Sequence, residues 1–126
     1  IQGVLEVLGI PYTHSGVLSS ALAMDKAQAR IIMAAAGVPI AEGKVVSREE
    51  AAKAHVMERP YVLKPVAEGS SVGVFIVTEK HAHPPQELTR PDWPYGSELL
   101  AERYVPGLEL TCAGLGEEAE GVGGHR

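Results

Sequence analysis

Apolar residues recur along this chain with two different periods, and the change of period divides it. From Ile1 to Leu8 they fall at positions 1, 4, 5 and 8, one face of a helix, and Gly9 followed by Pro11 supplies the stop. Ile10 to Thr13 reads as a short extended piece. Ser15-Gly16 then opens a turn into Leu18 to Met24, where the pattern is helical again. Asp25 is placed to cap the N-terminus of a helix over Lys26 to Ala36, with Ile31, Ile32, Ala35 and Ala36 as its apolar face. Gly37-Val38-Pro39 ends that helix by the same glycine-then-proline logic.

Beyond Pro39 the period shortens. Gly43 to Val46 reads as a short strand, and Ser47-Arg48-Glu49-Glu50 is a capping box that predicts a helix running to about His55. Tyr61 to Leu63 and Val74 to Val77 are rich in β-branched and aromatic residues and read as strands. Pro84-Pro85 and the Pro91 to Pro94 stretch mark a loop-rich region. Leu99 to Val105 and Leu108 to Ala113 read as strands joined by a turn at Pro106-Gly107. There is no internal repeat and no low-complexity segment. Helices first and close-set strands afterwards predict an α+β module with an antiparallel sheet. Ile1 to Thr13 reads as a helix and strand remnant of a preceding α/β unit.

Composition narrows the class. The chain is 45% hydrophobic and 21% charged over 126 residues, enough for one domain with a modest core. A formal charge of −5 argues against nucleic acid, which is usually met by a basic face. No apolar run is long enough to cross a bilayer and no signal-peptide pattern is present, so no membrane partner is expected. The single cysteine, Cys112, excludes an internal disulfide, fits a reducing, cytoplasmic setting, and reads as an inert core thiol. His81 and His83 lie two apart beside Pro84-Pro85 and read as a solvated loop, not a metal site. His14 reads as packing in its turn, and Trp93 and Tyr95 as packing under the proline-rich loop. The chain starts at Ile1 and ends in Gly121-Val122-Gly123-Gly124-His125-Arg126, and it is expected to be a piece of something longer.

The chemistry concentrates between two of the strands, in Lys64-Pro65-Val66-Ala67-Glu68-Gly69-Ser70-Ser71-Val72-Gly73. Glycine lets the backbone turn with positive φ and approach a ligand closely. Successive N–H groups in such a turn form an anion-binding concavity, and two serine hydroxyls and a lysine add donors. A polyphosphate would fit, although neither GxxxxGK[ST] nor GxGxxG is present. The plainer alternative is a hairpin with a polar tip. Lys26 sits where a helix starts and donors are already exposed, although a solvated surface lysine is the plainer reading. Leu99 to Val105 is an apolar run ending in Glu102-Arg103-Tyr104-Val105, suited either to an adenine slot or to plain core. Glu109 is placed either to accept from ribose hydroxyls or to face outward from a strand.

Three stretches together resemble the D-alanine–D-alanine ligases of the ATP-grasp superfamily. They are Gln2 to Thr13 with Ser15 to Leu18 and Ser20 to Lys26; Lys64-Pro65 with Glu68 to Gly73; and Glu102 through Pro106 to Thr111. The resemblance covers the chain to about Gly116. It implies the end of an N-terminal α/β domain over residues 1–24, the central ATP-grasp subdomain over 25–116, and an irregular tail over 117–126. It also implies ATP-dependent joining of two D-alanines for peptidoglycan synthesis through an acyl phosphate, with Mg2+ or Mn2+ bridging the phosphates.

By resemblance Lys26 and Lys64 hold ATP phosphates. Glu68, Gly69, Ser70 and Ser71 form a mobile loop over them, and Ser70 helps orient substrate as the catalytic residue. Glu102 lies near the exocyclic amine of adenine, the backbone of Arg103 and Val105 meets the ring edge with Tyr104 between them, and Glu109 binds ribose. The family's metal ligands match nothing here, so this piece alone is expected to be inactive and to bind ATP weakly. A D-alanine–D-lactate type of ligase and a non-catalytic nucleotide-binding fragment are the alternatives. Homodimers are common in the family.

Overall fold

A computed structural model describes residues 1–115 and 118–125. Three helices come first: α1 (Gln2–Leu8), α2 (Val17–Met24) and α3 (Lys26–Ala35). Gly9 closes α1 in the left-handed conformation at φ 64°, where a side chain would be strained. The Asp25 carboxylate accepts from the Ala27 and Gln28 N–H groups at 3.0 Å and starts α3. The Ile10 to Thr13 piece, expected as a strand remnant, is not one. No neighbouring strand offers it a ladder, and it runs as irregular chain into a bend.

A four-stranded antiparallel sheet follows, in the order β1-β4-β2-β3, from β1 (Gly43–Ser47), β2 (Tyr61–Pro65), β3 (Phe75–Val77) and β4 (Glu98–Arg103). Between β1 and β2 lies α4 (Arg48–Lys53). Its capping box is complete: Ser47 Oγ accepts from the Glu50 N–H, and the Glu50 carboxylate accepts from the Ser47 N–H. The helix stops short of the expected His55. His55 instead meets the Tyr61 hydroxyl through Nδ1 at 3.0 Å.

The two faces of the sheet differ. Tyr61, Leu63, Leu99, Ala101, Val46 and Val77 point to one side and are buried with Ala51 of α4 and Leu88. Leu88 belongs to a 3-10 turn, Gln86–Thr89, in a region that read as loop throughout. Alternation sends Val62 and Lys64 to the other face, and Val62 pairs with Glu102 across the β2–β4 ladder. Lys64 and Glu102 are therefore diagonal neighbours there, within reach for long side chains.

The last two strands form a separate two-stranded sheet, β5 (Glu109–Leu115) with β6 (Glu118–His125). Two expectations are corrected by it. Within the stretch 117–126, expected as an irregular tail, the described residues 118–125 form a strand, because β5 offers them its ladder and backbone pairing does not need side chains. Cys112 is not a core thiol. It is exposed, and among the described residues no buried core residue belongs to β5.

Candidate nucleotide-phosphate site

The first turn of α3 meets the loop that leaves β2. The Lys26 N–H donates to the Val66 carbonyl at 3.0 Å, and Lys26 Nζ donates to the carbonyls of Pro65 (3.0 Å), Val66 (3.4 Å) and Glu68. Asp25 sets this geometry, since capping at Asp25 makes Lys26 the first helical residue. Burial, and next the neighbouring Lys64 cation, push the Lys26 ammonium below the ordinary lysine value.

The loop itself turns sharply. Ser70 and Ser71 have φ of 52° and 58°, and the Val72 N–H donates to the Gly69 carbonyl at 3.2 Å. This is the pattern of a type I′ turn, which usually takes asparagine and glycine; each non-glycine residue in the left-handed region costs roughly 1–2 kcal/mol. Gly73 (φ 70°) closes the loop against Tyr95 and Pro65, and a Cβ there would lie 2.9 Å from both. Tyr95 in turn packs edge-on against Trp93, which stacks on Phe75 beside the core. The two aromatics therefore pack under the proline-rich region, as expected.

Lys26, Lys64, Glu68, Gly69, Ser70 and Ser71 line one cleft of about 300 Å³. The structure thus brings together six of the expected residues, from a helix start, a strand and a loop. Glu102 joins them through Lys64: its carboxylate forms one ion pair with Lys64 and another with Arg30. Arg103 is directed elsewhere. It lines a different groove, of about 430 Å³, with Glu42, Lys44 and Arg59. The Arg103 N–H donates to the Glu42 carbonyl at 2.8 Å and the Tyr104 N–H to the Pro60 carbonyl at 3.1 Å. Tyr104 and Val105 lie beyond the end of β4, and Glu109 opens β5, exposed and outside the cleft.

Sequence reasoning missed Arg30 and Gly43. Arg30 stands four residues after Lys26, on the same face of α3, and that spacing was the available signal. Gly43 is paired with Glu102 in the sheet, and a Cβ on it would sit 2.9 Å from Glu102 Cγ and 3.1 Å from Arg30 Nη2. Only glycine leaves that crossing open.

Comparison with known proteins decides the family. The family described as D-ala D-ala ligase C-terminus matches residues 32–125. The chain belongs to the D-alanine–D-alanine ligase family. A D-alanine–D-alanine ligase of Xanthobacter autotrophicus is 74% identical over 118 residues, covering 94% of this chain and 39% of that protein. One from Afipia carboxidovorans is 69% identical, covering 97% of this chain and 40% of that protein. The chain therefore spans about two fifths of the length of the curated relatives it matches. Among solved structures, the Bacillus anthracis D-alanine–D-alanine ligase complexed with ATP matches with a TM-score of 0.74 at 31% identity, over 99% of this chain and 42% of that one. The VanG D-Ala:D-Ser ligase of Enterococcus faecalis matches with a TM-score of 0.71 at 36% identity, over 97% of this chain and 36% of that one. The α+β architecture with its antiparallel sheet is the family's.

The resemblance also implies a divalent ion. Among the described residues no group of three or more His, Cys, Asp or Glu side chains could hold a metal. The cleft is lined by two lysines and one carboxylate, a donor set for an anion and not for a cation.

Proposed function

We propose that this chain forms the phosphate-holding side of an ATP-dependent ligase that joins two D-alanines into D-alanyl-D-alanine for peptidoglycan synthesis. The observation that carries the reading is the convergence of Lys26, Lys64 and the Glu68–Ser71 loop on one cleft, in a chain of this family. Two ammonium groups and a reversed turn rich in N–H and O–H donors suit a polyphosphate. The carboxylate of the first D-alanine takes the γ-phosphoryl group, and ADP leaves. The amine of the second D-alanine then attacks the acyl carbon, the amine proton is lost, and phosphate departs as the peptide bond forms. An acyl phosphate hydrolyses if water reaches it, and the loop carrying Ser70 and Ser71 is the element of this chain suited to keep water out.

In this reading Ser70 orients substrate. Glu102 receives the adenine amine, with the backbone of Arg103 and Val105 and the neighbouring Tyr104 along the base, and Glu109 meets the ribose. Mg2+ or Mn2+ would be held by residues outside this chain. The protein acts in the cytoplasm, as a homodimer. Among the described residues no helix is long and apolar enough to cross a membrane.

Calorimetry of ATP binding tests the site. Lys64→Ala should weaken ATP at least about tenfold, the scale of one lost charge-assisted hydrogen bond. Unchanged affinity would remove Lys64 from the site. Production of ADP dependent on D-alanine, in the intact protein, tests the reaction. The likeness to a D-Ala:D-Ser ligase supports a second reading, in which the second substrate is another D-configured amino or hydroxy acid. Relatives at 74% and 69% identity bear the D-alanine–D-alanine name, which favours D-alanine.

A further inference from the structure

Among the described residues, Arg30 is a partly buried cation near the cleft to which the proposed function gives no part. It lies on α3 and reaches the sheet through two contacts: Nη1 pairs with Glu102 Oε1, and Nη2 donates to the Ala41 carbonyl at 2.6 Å. Both side chains of the pair are only 14% exposed. The other oxygen of Glu102 pairs with Lys64, which lines the cleft. Glu102 is therefore gripped from two sides, and the two grips differ. Lys64 is a flexible point charge that the proposed function sends to phosphate. Arg30 is a planar fork fixed at its second nitrogen by backbone, and Gly43 leaves the space in which it crosses Glu102.

We propose that Arg30 is a positioning residue for base recognition, holding Oε1 of Glu102 so that Oε2, which Lys64 engages in the structure, turns to the exocyclic amine of adenine once Lys64 goes to phosphate. The inference rests on the nucleotide reading above and deepens it. Two features support it. An ionised carboxylate is acceptor-only, with about four lone-pair sites, so two cations leave it capacity to accept from an amine. Without Arg30, both oxygens would be free to close on Lys64, which would pull that lysine off phosphate and turn Glu102 away from the base. A keto group in place of the amine would meet the same carboxylate as acceptor against acceptor.

The test compares ATP with inosine triphosphate, which carries a carbonyl where adenine carries its amine. Binding of each is measured on the intact protein for the wild type, Arg30→Met, Arg30→Lys and Glu102→Ala. The wild type should prefer ATP. Arg30→Met should cut that preference about tenfold, mainly through weaker ATP, the loss expected for one hydrogen bond to a charged group. Arg30→Lys, which restores a cation, should recover most of it. In a Glu102→Ala background, Arg30→Met should change the preference no further, because the two act as one unit.

Should Arg30→Met not fold, Arg30→Gln keeps the stem and one donor, and the same loss of preference is expected of it. Equal weakening of both nucleotides in the Arg30 variants would overturn the inference and leave the nucleotide site standing. A wild type that binds neither nucleotide would overturn the nucleotide reading and this inference with it.

Discussion

At the residue scale, Lys26 ties the site to pH. Its ammonium is shifted below the ordinary value of 10.5, first by burial and then by Lys64. A polyphosphate needs the charged form. Affinity for ATP should therefore fall as pH rises through the lowered value, before an ordinary lysine would lose its proton. Lys26→Arg keeps the charge at any working pH and should move that fall upward, which a pH series of ATP titrations would show. The same shift acts on folding with the opposite slope. In the window between the lowered and the ordinary value the unfolded chain binds more protons than the folded one, so this group's contribution to stability rises with pH there. Ser70 and Ser71 belong to this scale too. Their left-handed φ values could not be read from the dipeptide, which carries none of the usual asparagine or glycine signal; they lie in the long connection between β2 and β3, outside the paired residues.

At the scale of elements, the N-terminus of α3 links stability to the site. Asp25→Ala removes the acceptor for two N–H groups and should cost about 0.5–2 kcal/mol in a denaturant titration. Because Lys26 is the next residue, the same substitution should also weaken ATP. A variant that loses stability with ATP affinity intact would show that the cap does not position the lysine. Both helix caps were legible from local sequence, since Asp25 and the Ser47 to Glu50 box work over three residues. The 3-10 turn at Gln86–Thr89 was not, because its one buried side chain, Leu88, is held by packing and not by any periodic pattern.

At the scale of the whole molecule, the two sheets differ in what holds them. Leu63 is fully buried in the core of the four-stranded sheet, and Leu63→Ala should cost about 2–5 kcal/mol by thermal or denaturant unfolding. None of the β5 residues whose burial is described belongs to that core, and an isolated two-stranded sheet is marginal in water. Amide protons of β5 should therefore exchange with solvent faster than those of β2 and β4, and Leu63→Ala should speed exchange in β2 and β4. Equal protection across both sheets would show that β5 shares the core's cooperativity.

The sequence by itself determined what acts locally: the helices and their caps, the strands that carry alternating apolar residues, and the glycine-serine loop with a lysine before it. It also determined the family, because three separated stretches fall together in the right order. Tertiary structure alone decided what depends on partners distant in sequence. Ile10 to Thr13 has strand-like residues but no neighbouring ladder, while the glycine-rich 118–125 segment has few strand-forming residues and does have one. Cys112 is exposed because nothing in its strand-like sequence says whether a core lies over it. The grip of Arg30 and Lys64 on Glu102 joins residues 72 and 38 positions apart. A charge pair at that separation leaves no local pattern. It exists because the Arg30 side chain reaches Glu102 past a glycine.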